Sequence, residues 1–455
     1  MSMTHRPAPD ASTSAVLKLA WPLFFANLAV VGNGTIDAVM AGRLSAEDMA
    51  GVAVASSVYV TVYIGFMAVL QALSPIAGHH YGAQRWRAIG DDLQQALWLS
   101  ALLLIVALPC VLATGFWNGI ASVDTRVAGI TTSYLHAVAF GLPAGLATRV
   151  FVALNAAVSR PMVTMVINLI VLGLKAPLNA VFMYGWGPFD AMGGAGAGVA
   201  TALLAWLALG MSVAIWRLDP FYDRFRSGSV HGPRWARLRE LLRLGMPIGL
   251  STLFEVTSFT FMAVLIARLG ATSVAGHQIV ANLVAILFMV PLSLGIATSV
   301  LIAQSLGSGA PRIARMAALR GFRLAFSVAL VAALLLWLLR GPVVHLYTGD
   351  PNVARMALSL LGLAALFHVF DAVQGMGSFV LRGYRQTFWP MVIYGVALWG
   401  LGLGGGAWLA YNPSFLGPPR GAVGFWEAAT LAIGITAAAL AWLAAFEARR
   451  HVTDH

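Results

Sequence analysis

Long apolar runs dominate the chain. Bounded by charge, glycine or proline, they fall at about 15–40, 49–79, 93–117, 127–152, 161–185 and 193–216 in the first half, and at about 240–267, 276–305, 315–340, 352–380, 386–411 and 424–446 in the second. Each holds roughly the 20 apolar residues that a helix needs to cross a bilayer. They are continuous rather than alternating, which argues against barrel strands. The pattern predicts an all-α integral membrane fold of twelve transmembrane helices joined by short connections, with no length left for a soluble domain. Prolines 22, 143, 161, 177, 247, 291 and 390 fall in these runs, where a missing N–H frees a carbonyl and permits bending.

Composition agrees. Of 455 residues, 59% are hydrophobic and 10% charged, with mean hydropathy +0.82, against about 25% charged in soluble proteins. The net charge of +11 does not gather into a nucleic-acid-binding patch. Twenty-one of the 28 Lys and Arg lie in alternate regions counted from the N-terminus, including Arg6, Lys18, Arg85, Arg87, the group from Arg217 to Arg243, Arg382, Arg385, Arg449 and Arg450. Six lie on the other side, and one, Lys175, lies inside a run. By the positive-inside rule both termini are expected in the cytoplasm. Residues 1–15 are polar and carry no cleavable signal, so the first helix is expected to direct insertion. The single cysteine, Cys110, offers no disulfide or thiol-metal framework.

The longest connection, about 217–239, contains Pro220, Gly228, Gly232 and Pro233 and divides the chain near its midpoint. Sliding the chain along itself by about 225 residues sets Leu17-Lys18-Leu19 on Leu242-Arg243-Leu244 and Pro22 on Pro247. Arg43-Leu44 then meets Arg268-Leu269, and Ala72, Ser74, Gly82 and Arg87 meet Ala297, Ser299, Gly307 and Arg312. Farther on, Pro161-Met162-Val163 corresponds to Pro390-Met391-Val392. The expected organisation is two pseudo-symmetric six-helix lobes, 1–225 and 226–455, around a central cavity. A parallel repeat of this kind is a common transporter plan.

Three acidic residues sit inside runs: Asp37, Glu255 and Asp371. A charge at the bilayer centre costs about 2.5–3.5 kcal/mol even on an insertion scale, so these are candidate cation or proton sites. If Glu255 and Asp371 face one cavity, they cannot both stay ionised without a cation. Either a proton is shared or sodium enters. Lys175 either pairs with Asp37 or snorkels to the outer surface. Asn179, one turn beyond Lys175, is a ligand or a packing polar group. His277 and His368 lack partners at metal-ligand spacing and are read as structural.

Ala20-Trp21-Pro22, Asp37-Ala38-Val39-Met40-Ala41-Gly42, Pro177-Leu178-Asn179, Gly245-Met246-Pro247, Phe254-Glu255, Ala275-Gly276-His277-Gln278-Ile279, Phe370-Asp371 and Leu381-Arg382-Gly383 together resemble the multidrug and toxic compound extrusion family, on its bacterial NorM-type branch. The resemblance spans essentially the full chain. It implies a V-shaped pair of lobes in the bacterial inner membrane, acting as a monomer. It also implies antiport of organic cations against sodium or protons, with no cofactor beyond that coupling ion. It assigns the cation site to Glu255 and Asp371, with the Phe288 ring offering a cation–π face, and a polar site in the first lobe to Asp37 and Asn179. Lys175 departs from the asparagine expected at its position. A fixed ammonium beside Asp37 would neutralise the first-lobe site and leave coupling to Glu255 and Asp371.

A flippase for lipid-linked sugars shares the two-lobe plan, but it calls for a basic cavity to hold pyrophosphate. Here three interior acids face one interior lysine. No zinc-protease, paired-aspartate or phosphate-loop motif points to an enzyme.

Overall fold

Twelve helices long and apolar enough to cross a membrane run through the computed structural model, which describes residues 10–121, 123–226, 231–413 and 417–453. They are α1 Thr13–Gly42, α2 Ala46–Gly82, α3 Trp86–Leu112, α4 Thr125–Ala157, α5 Pro161–Tyr184, α6 Ala195–Leu218, α7 Trp235–Ala267, α8 Ala271–Gly307, α9 Pro311–Leu338, α10 Pro351–Gly383, α11 Phe388–Tyr411 and α12 Gly421–Thr453. Every run of the sequence becomes one of these helices. Arg6 and Gly228 lie outside the described residues.

Local chemistry sets the helix ends. Ser45 caps α2 by accepting from the Asp48 N–H at 2.9 Å, Asp124 caps α4 through the Arg126 and Val127 N–H groups, and Asp350 caps α10 through Asn352. Pro161, Pro311 and Pro351 take first-turn positions, where a missing N–H costs nothing. Pro161 therefore starts α5 rather than interrupting a helix, and Pro390 falls in the opening turn of α11. Pro22, Pro143, Pro177, Pro247 and Pro291 do lie inside helices.

Two runs read as single helices are broken. α2 pauses in a turn at Gln71 and Ala72 before resuming at Leu73. The cause is Pro75, whose ring crowds the Gln71 carbonyl and has no N–H to offer it. α11 widens into a π-helix over Gly395–Gly404, a segment rich in glycine. Short helices Thr114–Ala121 and Arg340–Tyr347 follow α3 and α9 at equivalent places in the two halves.

The chain forms two compact units. One is Trp21–Gly249; the other joins the described part of Met1–Ala20 to Leu250–His455. Each unit takes the opening turns of the helix that begins the other half of the repeat. In the first unit α4 packs centrally against α2 and α6, and in the second α10 packs against α8 and α12. The same helices of the repeat form both cores. Away from these seams, side chains such as Ile105 and Val106 on α3 and Leu330, Val331, Leu334 and Leu335 on α9 are exposed. Lipid is the solvent that such a surface requires.

Within the first unit, the connection between α6 and α7 is not a loose linker. Asp219 opens a 3-10 turn, Pro220–Phe225, by accepting from the Phe221 N–H, and pairs with Arg160. The Phe221 N–H, and after it Arg160, hold the Asp219 carboxyl below the usual range. Tyr222 donates to Asn155 at 2.7 Å, and the Arg224 guanidinium lies over Phe221 at 4.2 Å and Trp86 at 4.8 Å. Beyond it, Gln95 bonds both Gly232 and the Arg234 N–H.

The close approach of α5 and α6 depends on glycine. A Cβ on Gly196 of α6 would fall 2.5 Å from the Phe182 backbone of α5. Gly196→Val is expected to destabilise the protein by about 1–3 kcal/mol through overpacking. Gly210→Ala on the same helix, where nothing lies within 4 Å, serves as the control. Melting of the two purified variants checks this: only Gly196→Val should melt well below the parent.

Candidate functional site

In the first unit, α1, α5 and α6 bring together a buried polar cluster. Lys175 and Asn179 are four residues apart on α5, and Ala197 and Thr201 are four apart on α6, so each pair shares a helix face. The Gly196 contact sets these faces against each other. Lys175 Nζ lies 2.9 Å from Asp37 Oδ1 on α1 and donates to Thr201 Oγ1 at 2.6 Å. Asn179 Nδ2 donates to the same Asp37 oxygen at 2.7 Å. Lys175 is 2% exposed, Asp37 6% and Asn179 0%. Of the two readings of Lys175, pairing with Asp37 is the one the structure adopts; the side chain does not snorkel.

In the second unit the cluster is built on α7, α10 and α11. Asp371, Gln374 and Ser378 lie at successive turns of one α10 face, all buried, with half-buried Glu255 opposite on α7. Gln374 joins the two acids: its Nε2 donates to Asp371 Oδ1 at 2.9 Å and reaches Glu255 Oε1 at 3.4 Å. Its Oε1 accepts from Tyr394 OH of α11. Both amide ends are therefore occupied, and the amide cannot rotate without losing a partner. Two carboxyl groups from different helices thus converge on a neutral donor, in contrast to Asp37, which meets an ammonium.

Phe288 of α8 lies beside this cluster. Its ring edge would sit 3.2 Å from a Cβ on Gly375, the residue after Gln374, so Phe288 is held against the α10 backbone next to the shared amide. Arg382, one turn beyond Ser378 on α10, stacks over Phe379 at 4.4 Å and lies within electrostatic range of Glu255. Tyr394 directly precedes the π-helical stretch, which Trp399 ties to α7 by donating to the Phe254 carbonyl at 3.2 Å. π-helical segments are rare and recur at functional sites.

The histidines sit apart from these contacts. His277 accepts from Trp426 Nε1 at 3.2 Å, both side chains being buried, and His368 is buried on α10 with no partner at Nδ1. Among the described residues, no group of three or more His, Cys, Asp or Glu gathers into a metal-binding set.

Of the residues singled out in the sequence, Asp37, Lys175 and Asn179 meet in one cluster and Glu255 and Asp371 in another, while Phe288 packs against α10 at Gly375. Thr201, Gln374 and Tyr394 join them without having been expected. Gln374 is within reach of sequence reasoning, because a residue three positions after an intramembrane acid shares its helix face.

Comparison with known proteins bears on the family and the fold. The MatE family model matches residues 22–181 and again 247–408, one match for each half of the repeat. "Probable multidrug resistance protein NorM" of Aromatoleum aromaticum is 38% identical over 447 residues, covering 97% of this chain and 96% of that protein. The protein of the same name in Shewanella oneidensis is 36% identical, covering 97% and 95%. "Multidrug resistance protein MdtK" of Edwardsiella ictaluri is 36% identical, covering 94% and 93%. Among solved structures, the eukaryotic MATE transporter AtDTX14 superposes with a TM-score of 0.87 at 19% identity, over 96% of this chain and 98% of its own. An outward-facing multidrug resistance MATE family transporter of the MOP superfamily gives 0.86 at 17%, over 98% of each chain. With the family model matched once in each repeat and relatives aligned from end to end, the chain belongs to the MatE family, as a multi-pass membrane transporter of the NorM type and not an enzyme.

Proposed function

We propose that this protein is a cation-coupled antiporter that exports organic cationic drugs and toxic compounds by alternating access, with sodium or a proton as the coupling ion. The observation that carries this reading is the pair Glu255 and Asp371 joined through Gln374. A buried and a half-buried acid on one shared donor form a site that attracts a cation, and either a coupling ion or a cationic cargo supplies the charge. The relatives' names, which speak of multidrug resistance, support drugs as the cargo.

The cycle runs as an exchange. The cargo cation is taken from the cytoplasm or inner leaflet while the acids remain ionised. After the outward change of access, sodium or a proton binds at Glu255 and Asp371 and weakens the hold on cargo. The protein then returns inward carrying the ion. The excess of arginine on alternate connections supports cytoplasmic termini, the bacterial relatives support the inner membrane, and a single chain carries the whole site.

The test is competition at equilibrium. A fluorescent organic cation bound to the purified protein should be released by sodium or by lowering pH. By linkage, the dye must weaken binding of that ion by the same factor. Release by neither ion would sink the exchange mechanism.

Gln374→Leu removes the shared donor while leaving both acids in place. The expected result is a loss of about 10–100-fold in coupling-ion affinity, the usual effect of deleting a group that orients the ligands. A sodium or proton titration of dye release checks it, with melting measured alongside to show that the fold survives.

A further inference from the structure

The first unit's cluster has the anatomy of a cation site whose occupant is part of the chain. We propose that the Lys175 ammonium is a tethered cation that fills a monovalent-cation site formed by Asp37, Thr201, Ala197 and Asn179, and so closes it to free ions. The proposal concerns residues that Glu255 and Asp371 do not share, and it stands or falls without the coupling assigned to them.

Donors and acceptors match around the ammonium. Near Nζ lie three oxygens: Asp37 Oδ1 at 2.9 Å, Thr201 Oγ1 at 2.6 Å and the Ala197 carbonyl at 3.4 Å. The Thr201 hydroxyl hydrogen is already committed to the Ala197 carbonyl at 2.8 Å, so the hydroxyl turns a lone pair to the ammonium. An ammonium has three hydrogens and no acceptor, and here each hydrogen has an oxygen to meet. Asn179 donates to Asp37, but its own Oδ1 is buried without a partner. That orphaned acceptor belongs to the amide that already touches the carboxylate.

Carboxylate, hydroxyl, carbonyl and amide oxygens are the ligand types that hard cations take. A lysine four residues from Asn179 supplies their positive charge without leaving the chain. Because the ammonium is intramolecular, a free ion competes against a high effective concentration. It must also separate a buried pair whose partner would be left uncompensated. The site is thus neutral and saturated in the protein as it stands, and removing the lysine side chain opens it.

Binding of radioactive sodium to the purified full-length chain at saturation tests this, with the parent compared to Lys175→Ala, Asp37→Asn and the double variant. Lys175→Ala should bind one sodium more per chain than the parent. The double variant should lose that extra ion, and Asp37→Asn alone should match the parent. Equal binding by Lys175→Ala and the parent overturns the proposal, as does an extra ion that persists without Asp37. Should Lys175→Ala not fold, Asp37→Asn decides alone: unchanged sodium binding supports the tethered occupant, and loss of one ion overturns it. Loss of coupling at Glu255 or Asp371 would leave each of these differences intact.

Discussion

Export by Asp371→Asn should fall by about 100-fold or more, the upper range of coupling between two ligands, and Glu255→Gln should do the same. Both substitutions keep shape and keep an oxygen that accepts from Gln374, so the hydrogen bonds at 2.9 and 3.4 Å survive. What disappears is the ability to lose a proton or to hold a cation. If the acids served only to pack α7 against α10, these near-isosteric changes would leave export close to the parent. Neutralising Asp371 removes a buried charge without stranding a partner and is mild for the fold, so near-parental melting should accompany its loss of export. Initial rates of dye export per folded protein, for both variants beside the parent, make the measurement.

Lys175→Met should have the largest effect on stability. The side chain keeps its length but loses the ammonium, and in sodium-free buffer Asp37, 6% exposed, is left beside Asn179 with its charge uncompensated. Breaking a buried pair from one side costs about 3–5 kcal/mol. Asp37→Asn combined with Lys175→Met removes both charges and should recover most of that loss. The melting temperatures of the single and double variants in one detergent read the non-additivity directly. A single variant as stable as the parent would mean that the pair contributes little.

Much of this architecture is legible in the amino-acid sequence. The twelve spans are plain because a membrane helix announces itself by length and apolar continuity, and the repeat is plain because Pro22 and Pro247, Arg43 and Arg268 hold one register. Asp37, Glu255 and Asp371 stand out because an intramembrane charge is costly. Less can be read where the signal is weak. Thr201 carries no charge, and nothing in its own segment marks it as a site residue; Gln374 is marked only by its spacing from Asp371. Tyr394 reaches Gln374 only because α11 packs beside α10, a tertiary fact that no local spacing contains. Whether Lys175 snorkels or pairs is decided by the approach of α5 and α6 at Gly196, which brings Thr201 and Ala197 to it. The pause in α2 follows from Pro75, a single residue in a run long enough to read as unbroken. The π-helix of α11 has its warning in the glycines between 395 and 406. Glycine, however, signals only permissiveness and not which form the backbone takes.

Dye efflux from proteoliposomes holding the purified protein, with a sodium gradient and a proton gradient imposed separately, tests cation-coupled export most directly. One of the two gradients should drive export of the cationic dye by the parent, and neither should do so in Glu255→Gln or Asp371→Asn. Folded parent protein that exports nothing under either gradient, or variants that export as well as the parent, would rule out coupling through these two acids.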